Sequence, residues 1–247
     1  MKRKNYFTLI VLRGCIVLAL IGLSISIYAY YTSKESYEIA RNTYSTISAQ
    51  YVDNDSDKIN NIDFKNLLQI NNNIVGWIKS DDSIINYAIV QGNDNDYYLT
   101  HMIDNSYNKA GAIFMDYTNS SDFSDQNTII YGHNMKDGSM FAYLLNYKDQ
   151  AFYDKHPSMY LYTIDSIYKI DIIAGIIISG DEDYLKTKFI NNDDKINYVN
   201  SLIVFSTFLS TTKISPDDLL ITLSTCSYDF QDARYVLFGK LTTLETQ

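Results

Sequence analysis

The chain has 247 residues, with 20 Lys and Arg against 29 Asp and Glu, a formal net charge of −9 at pH 7, and 46% hydrophobic residues. That length and balance fit one folded domain with an appendage. The acidic surplus argues against a nucleic-acid partner, because phosphate binding needs a basic stripe that the sequence lacks.

The appendage comes first. Lys2, Arg3 and Lys4 precede a stretch, 6–31, whose one charge is Arg13. Such a stretch is long enough for a membrane-spanning helix. Beyond Tyr31 lie 16 Lys and Arg and all 29 Asp and Glu, a formal charge of −13. Positive charge before the span predicts a cytoplasmic tail over 1–5, a transmembrane anchor over 6–31 and an extracellular remainder, in a single-pass protein of the cell membrane. Tyr28, Tyr30 and Tyr31 at the exit differ from the small-residue site of a cleaved signal peptide. Leu12-Arg13-Gly14-Cys15 has the cysteine of a lipoprotein acceptor site, but the arginine beside it and the apolar run beyond it speak against lipidation, so Cys15 reads as a bland membrane cysteine.

Residues 32–72 read as a helical stalk or packing region. Tyr37, Ile39, Ala40 and Tyr44 recur at helical spacing, and Asp63 is placed to cap a short helix. The catalytic domain is expected over 73–247. Its apolar runs are short and rich in Ile, Val, Tyr and Phe, at 75–79, 85–91, 112–117, 128–133, 159–164, 168–178, 219–226 and 235–244. Eight strands separated by turn residues predict a mainly β barrel or sandwich. Apolar residues every three or four positions predict helices over 182–189 and 195–208, and shorter ones over 94–102 and 140–147.

The chemistry gathers at strand ends. Cys226, the one thiol outside the N-terminal segment, closes the seventh run, and Arg234 immediately precedes the eighth. With a single cysteine there, no internal disulfide is possible, and an unpaired thiol in an external domain is a candidate reactive group. Tyr131-Gly132-His133-Asn134 closes the fourth run. A thiol attacks a carbonyl as thiolate, which a neighbouring cation or base favours. An arginine fork can hold the oxyanion that results, and a histidine can protonate the departing amine. Taken singly, these residues are as well explained as a packed cysteine, a turn histidine and a surface ion pair with Asp232. Together they predict acyl transfer. His101 and His156 lack such a setting and are assigned to packing or surface roles, and no His or Cys spacing fits a metal site.

Leu223-Ser224-Thr225-Cys226 with Arg234, and Tyr131-Gly132-His133-Asn134-Met135, resemble the class B sortases. The likeness also takes in Gly76-Trp77-Ile78, Ile85-Asn86-Tyr87, Val90-Gln91-Gly92 and the stretch from Gly111 to Tyr117, and covers roughly residues 60–245. It implies an eight-stranded β-barrel with N-terminal helices and a helix between strands six and seven. It implies a cysteine transpeptidase that cleaves a C-terminal sorting signal after a threonine, forms a thioacyl-enzyme and passes the surface protein to a cell-wall amine of peptidoglycan or its lipid-linked precursor, with no cofactor. Cys226 is then the nucleophile, His133 the general acid and base, and Arg234 the stabiliser of oxyanion and substrate. Signal binding falls by the same likeness to Asn95, Leu99, Tyr184, Leu185, Ser224 and Thr225. Two departures stand out, a short loop between Cys226 and Arg234, and Ser227 where relatives carry an acid. Three alternatives stand beside it: a pilin polymerase that uses the same residues with a lysine acceptor, an inactive membrane-anchored peptide-binding barrel, and an ordinary cysteine protease.

Overall fold

Helix α1 runs unbroken from Lys2 to Tyr51 in the computed structural model, which describes residues 2–52, 62–82, 84–180 and 185–246. Its first half is long and apolar enough to cross a membrane, and side chains from Ile10 to Ile27 lie exposed. Its second half is docked on the domain. Ala40, Tyr44 and Ile47, three and four residues apart, are buried there, as one stripe of an amphipathic helix should be. The Tyr44 hydroxyl donates to the Gly111 carbonyl at 2.6 Å, and burial pushes its pKa up. Arg41 pairs with Asp137 at 3.1 Å. Helix α2, Phe64–Ile70, follows, its first turn capped by the Asp63 carboxylate, which accepts from the Asn66 backbone N–H.

Eight strands follow: β1 Ile74–Ser80, β2 Asn86–Gln91, β3 Ile113–Met115, β4 Asn127–Tyr131, β5 Ser158–Tyr162, β6 Ser166–Ser179, β7 Leu219–Cys226 and β8 Ala233–Thr246. They close into a barrel in the order β1-β2-β3-β4-β7-β8-β6-β5, the architecture read from the sequence. Closure leaves no sheet edge unpaired. Two pairings matter for function. Strands β4 and β7 are parallel, with Tyr131 opposite Ser224, so both end on the same rim. Strand β8 runs antiparallel to β7 and pairs Arg234 directly with Cys226.

Side chains alternate across each strand, and the two faces bury different partners. Ile221, Leu223, Tyr235 and Leu237 join the main core with Trp77, Ile78 and Ile130. Leu220, Val236 and Phe238 face outward into a second cluster with Val199 and Leu202. Those two come from helix α4, Asn192–Val204, which lies between β6 and β7. Asn191 caps it by accepting from the Asp194 backbone N–H, and Asp193 and Asp194 complement its N-terminal dipole. Each buried apolar side chain on α4 is worth roughly 1.5–3 kcal/mol against exposure. Buried Lys195 ties α4 to the entry of β7, donating to the carbonyls of Pro216 and Asp218.

Several helical expectations change. Residues 185–189 are not helical: the Lys186 carbonyl accepts from Asn127 Nδ2 at 2.8 Å and the Phe189 N–H donates to Gln126 Oε1 at 2.7 Å, so tertiary partners take the groups a helix would pair. Of 94–102, one 3₁₀ turn, Tyr97–Leu99, forms. The Asp94 carboxylate accepts from the Asp96 and Tyr97 N–H groups, while the Tyr98 and Thr100 carbonyls accept from Ala112 and Asn108. The expected helix near 140–147 is a 3₁₀ segment, Phe141–Lys148, and helix α3, Gln150–Lys155, follows it.

Candidate active site

Cys226, Arg234, His133 and Gly132 line one cleft of about 280 Å3, together with Tyr131, Asn95, Leu99, Ser224 and Thr225. The topology explains why. Cys226 and Ser224 share the outward face of β7 with Leu220, and Arg234 shares that face of β8 with Val236. The cysteine and arginine therefore stand side by side on the outside of the barrel. Parallel pairing brings β4 to the same height, and the Gly132 N–H donates to the Ser224 carbonyl at 3.1 Å, which extends the ladder one step towards His133.

Glycine at 132 is a steric requirement. A Cβ there would lie 2.5 Å from Ile113 Cδ1 and 2.7 Å from the Phe141 ring. Beyond it, the His133 carbonyl accepts from the Phe141 N–H at 2.9 Å, and Nε2 lies 2.8 Å from the Leu99 carbonyl oxygen. A carbonyl only accepts, so Nε2 carries the proton, and in the neutral ring Nδ1 keeps the lone pair. The next residue joins the two strand ends, because Asn134 Nδ2 donates to the Cys226 carbonyl at 3.0 Å.

The β7–β8 loop is held from three sides. The Ser227 N–H donates to the Ala233 carbonyl at 2.8 Å. The Asp229 carboxylate accepts from the Ser227 hydroxyl and from Lys148, which hold its pKa below the ordinary carboxylate range, the lysine contributing most. Asp232 takes a positive φ of 58°, an uncommon backbone for a non-glycine residue. Its carbonyl accepts from the Gly180 N–H at 2.8 Å and from Arg234 Nη1 at 3.4 Å. Asp229 is thus tied to Ser227, the residue that follows the cysteine.

The residues expected to bind substrate divide. Asn95, Leu99, Ser224 and Thr225 line the cleft, whereas Leu185 packs against the outer cluster beneath α4, and Tyr184 lies outside the described residues. The amide of Asn95 is already committed: Nδ2 donates to Asp116 at 2.8 Å and Oδ1 accepts from the Tyr117 N–H at 3.1 Å. The Thr225 Oγ1 atom is buried without a hydrogen-bond partner. Asp116, which sequence reasoning passed over, holds the cleft wall together. Its carboxylate accepts from Asn95, Thr118 and the Tyr131 hydroxyl. Burial alone would raise its pKa, but these bonds outweigh it and hold the group below the usual range. Among the described residues no group of three or more His, Cys, Asp or Glu is arranged to hold a metal ion.

A sequence model of the Sortase domain matches residues 81–242. The chain belongs to the sortase family. It is similar to Sortase B of Listeria monocytogenes, with 42% identity over 183 residues, 73% of this chain and 74% of that one. With Sortase B of Staphylococcus aureus it shares 27% identity over 246 residues, 98% of each chain. Among solved structures, the sortase B-like protein of Bacillus anthracis superposes with a TM-score of 0.74 at 34% identity, over 85% of this chain and 98% of that one. The Staphylococcus aureus sortase B–substrate complex gives 0.70 at 31%, over 74% and 85%. These similarities make the chain a class B sortase, a cysteine transpeptidase.

Proposed function

We propose that this sortase cleaves a C-terminal sorting signal after a threonine and transfers the resulting acyl group to a cell-wall amine. The observation that carries the reading is the register of Cys226 with Arg234 on the rim to which β4 delivers His133. The Cys226 thiolate attacks the scissile carbonyl carbon, and Arg234 with nearby backbone N–H groups stabilises the oxyanion. The tetrahedral adduct collapses as the C–N bond breaks, and His133, which took the thiol proton of Cys226 on Nδ1, gives that proton to the leaving amine. An acceptor amine then attacks the thioester and loses a proton to His133, and the C–S bond breaks to restore the thiolate. Two solved sortase B structures support the choice of ligands, one a Staphylococcus aureus complex with substrate and one a complex with triglycine. The same proposal includes α1 as a membrane anchor, with a cytoplasmic N-terminus and the barrel outside.

The test is a peptide-library cleavage assay on the full chain, read by mass spectrometry, with wall-derived amines and lysine peptides offered as acceptors. Cleavage after threonine and a wall-amine adduct are expected, both lost in Cys226→Ala. A library that yields no thioacyl adduct would sink the proposal, and resolution by lysine side chains alone would turn it towards pilus assembly.

A further inference from the structure

The outer end of the apolar helix lies level with one loop of the barrel domain. Gly14 to Ser33 are 20 consecutive residues without an acidic or basic side chain, about the length that crosses the hydrocarbon core. Near the end of that run Tyr28, Tyr30 and Tyr31 are exposed, the composition of an aromatic belt at a membrane–water interface. At this same height α1 already faces the domain. Ala29, Thr32 and Ser33 form one side of a cleft whose other side is Tyr107, Lys109 and Met135. With Ser36 and Tyr37, which also line it, the helix side of the cleft spans about 12 Å along the axis, so Tyr107 and Lys109 stand between the level where the helix leaves the hydrocarbon core and roughly 6 Å beyond it.

The geometry there is fixed. Ser36 donates its hydroxyl to Asn108 Oδ1 at 3.0 Å, and Asn108 Nδ2 returns a bond to the Ser36 carbonyl at 3.0 Å, which locks the loop to the helix within the cleft that both residues line. The loop is itself a tight turn, with the Met102 N–H donating to the Ser106 carbonyl at 2.9 Å and the Asn105 N–H to the Met102 carbonyl at 2.9 Å. Its one acid in this turn, Asp104, is engaged with the Ser106 backbone and hydroxyl. What remains presented outward is the Tyr107 ring, 69% exposed, and the Lys109 side chain.

We propose that the loop bearing Tyr107 and Lys109 rests in the headgroup layer of the bilayer that α1 crosses, with Tyr107 as an interfacial aromatic and Lys109 on lipid phosphate. The inference depends on the reading of α1 as a membrane anchor. It places the barrel on the membrane surface, without a spacer. Met135, which lines the same cleft, follows His133 by two residues, so the active-site cleft opens close to the headgroups and takes its substrates at that level.

The test places a fluorophore at each height. The full chain is reconstituted into vesicles of phosphatidylcholine and phosphatidylglycerol brominated near the headgroup end of the acyl chains, as Tyr107→Trp and, for comparison, Phe205→Trp. Phe205 follows α4, on the outer cluster of β6, β7 and β8, and is exposed. The native Trp77 is buried and supplies a constant background. Bromolipid is expected to cause a loss of emission at position 107 and none at 205. On the unsubstituted chain, hydroxyl-radical footprinting is expected to show Tyr107 protected in vesicles and Phe205 modified as in detergent. A chain that inserts, by resistance of α1 to protease, yet shows neither quenching nor protection at 107 overturns this inference and leaves the anchor reading standing. A chain that fails to insert overturns both.

Discussion

Asn134 donates its side-chain amide to the backbone carbonyl of Cys226 at 3.0 Å, so the residue after His133 fixes the strand end that carries the nucleophile. No other hydrogen bond among the described residues joins the turn after β4 to the carbonyl of the cysteine itself. Losing one such bond costs about 1 kcal/mol of stability, whereas a small misplacement of reacting groups can cost on the order of 100-fold in rate. Asn134→Ala is expected to lower Tm by only a few degrees and kcat by roughly 10- to 100-fold, with KM for the peptide little changed. Asn134→Asp keeps the shape but cannot donate, so it should match the alanine variant. Full kcat in Asn134→Asp would show that the bond is incidental.

Arg234 lies in register with Cys226, and its guanidinium is steadied by the carbonyls of Asp232 and Ala233 at 3.4 and 3.3 Å. A lysine supplies charge without the planar fork. Arg234→Lys is therefore expected to lose roughly 100- to 1,000-fold in kcat/KM, the scale of removing an oxyanion donor, while Tm stays near that of the parent. Stopped-flow measurement of acyl-enzyme formation locates the loss in the first step. Normal acylation in Arg234→Lys would remove Arg234 from the oxyanion role.

Gly132 could not be replaced without moving the site. A Cβ would press within 2.7 Å of both Ile113 and Phe141, and both are buried core residues. Gly132→Ala is expected to cost about 1–3 kcal/mol, the scale of overpacking, and to abolish most transpeptidation because His133 is the next residue. Denaturant unfolding with the activity assay checks both. Retention of the parent midpoint would show that the ring of Phe141 yields freely.

How far the site could be read in advance depended on where each signal lies. Cys226, Arg234 and His133 lie at strand ends, and short apolar runs rich in β-branched residues mark strand ends well; the barrel closure then assembles what the sequence keeps far apart. Asn95, Leu99, Ser224 and Thr225 reached the cleft, but Leu185 did not, because its apolar neighbours at helical spacing served an extended segment held by Gln126 and Asn127 side chains. Asn134 and Asp116 carry no local pattern. Their importance is a matter of which carbonyl or amide folding brings near them, and such partners lie 92 and 21 residues away. The one-piece helix α1 was legible as two parts, an apolar span and an amphipathic follow-on, and its docking through Tyr44 and Arg41 depends on residues far along the chain.

Asp116 gives the fold a dependence on pH that can be measured at the cleft. Its carboxyl is held below the usual range by bonds from Thr118, Asn95 and Tyr131, against the opposing effect of burial. A carboxyl with a depressed folded pKa adds stability above its unfolded value of about 3.9, and that stability disappears as pH falls through the folded value. Thermal stability of the parent is therefore expected to fall steadily below about pH 4. In Asp116→Asn part of that slope should vanish, since no proton is taken up at 116, while stability near neutrality falls by roughly 1–3 kcal/mol as charge-assisted bonds become neutral ones. Tyr131 and Asn95 lose their anchor together, so the variant should also raise KM for the peptide. An unaltered acid slope in Asp116→Asn would mean that other carboxylates set the acid limb, with Asp116 merely a spectator of the cleft wall.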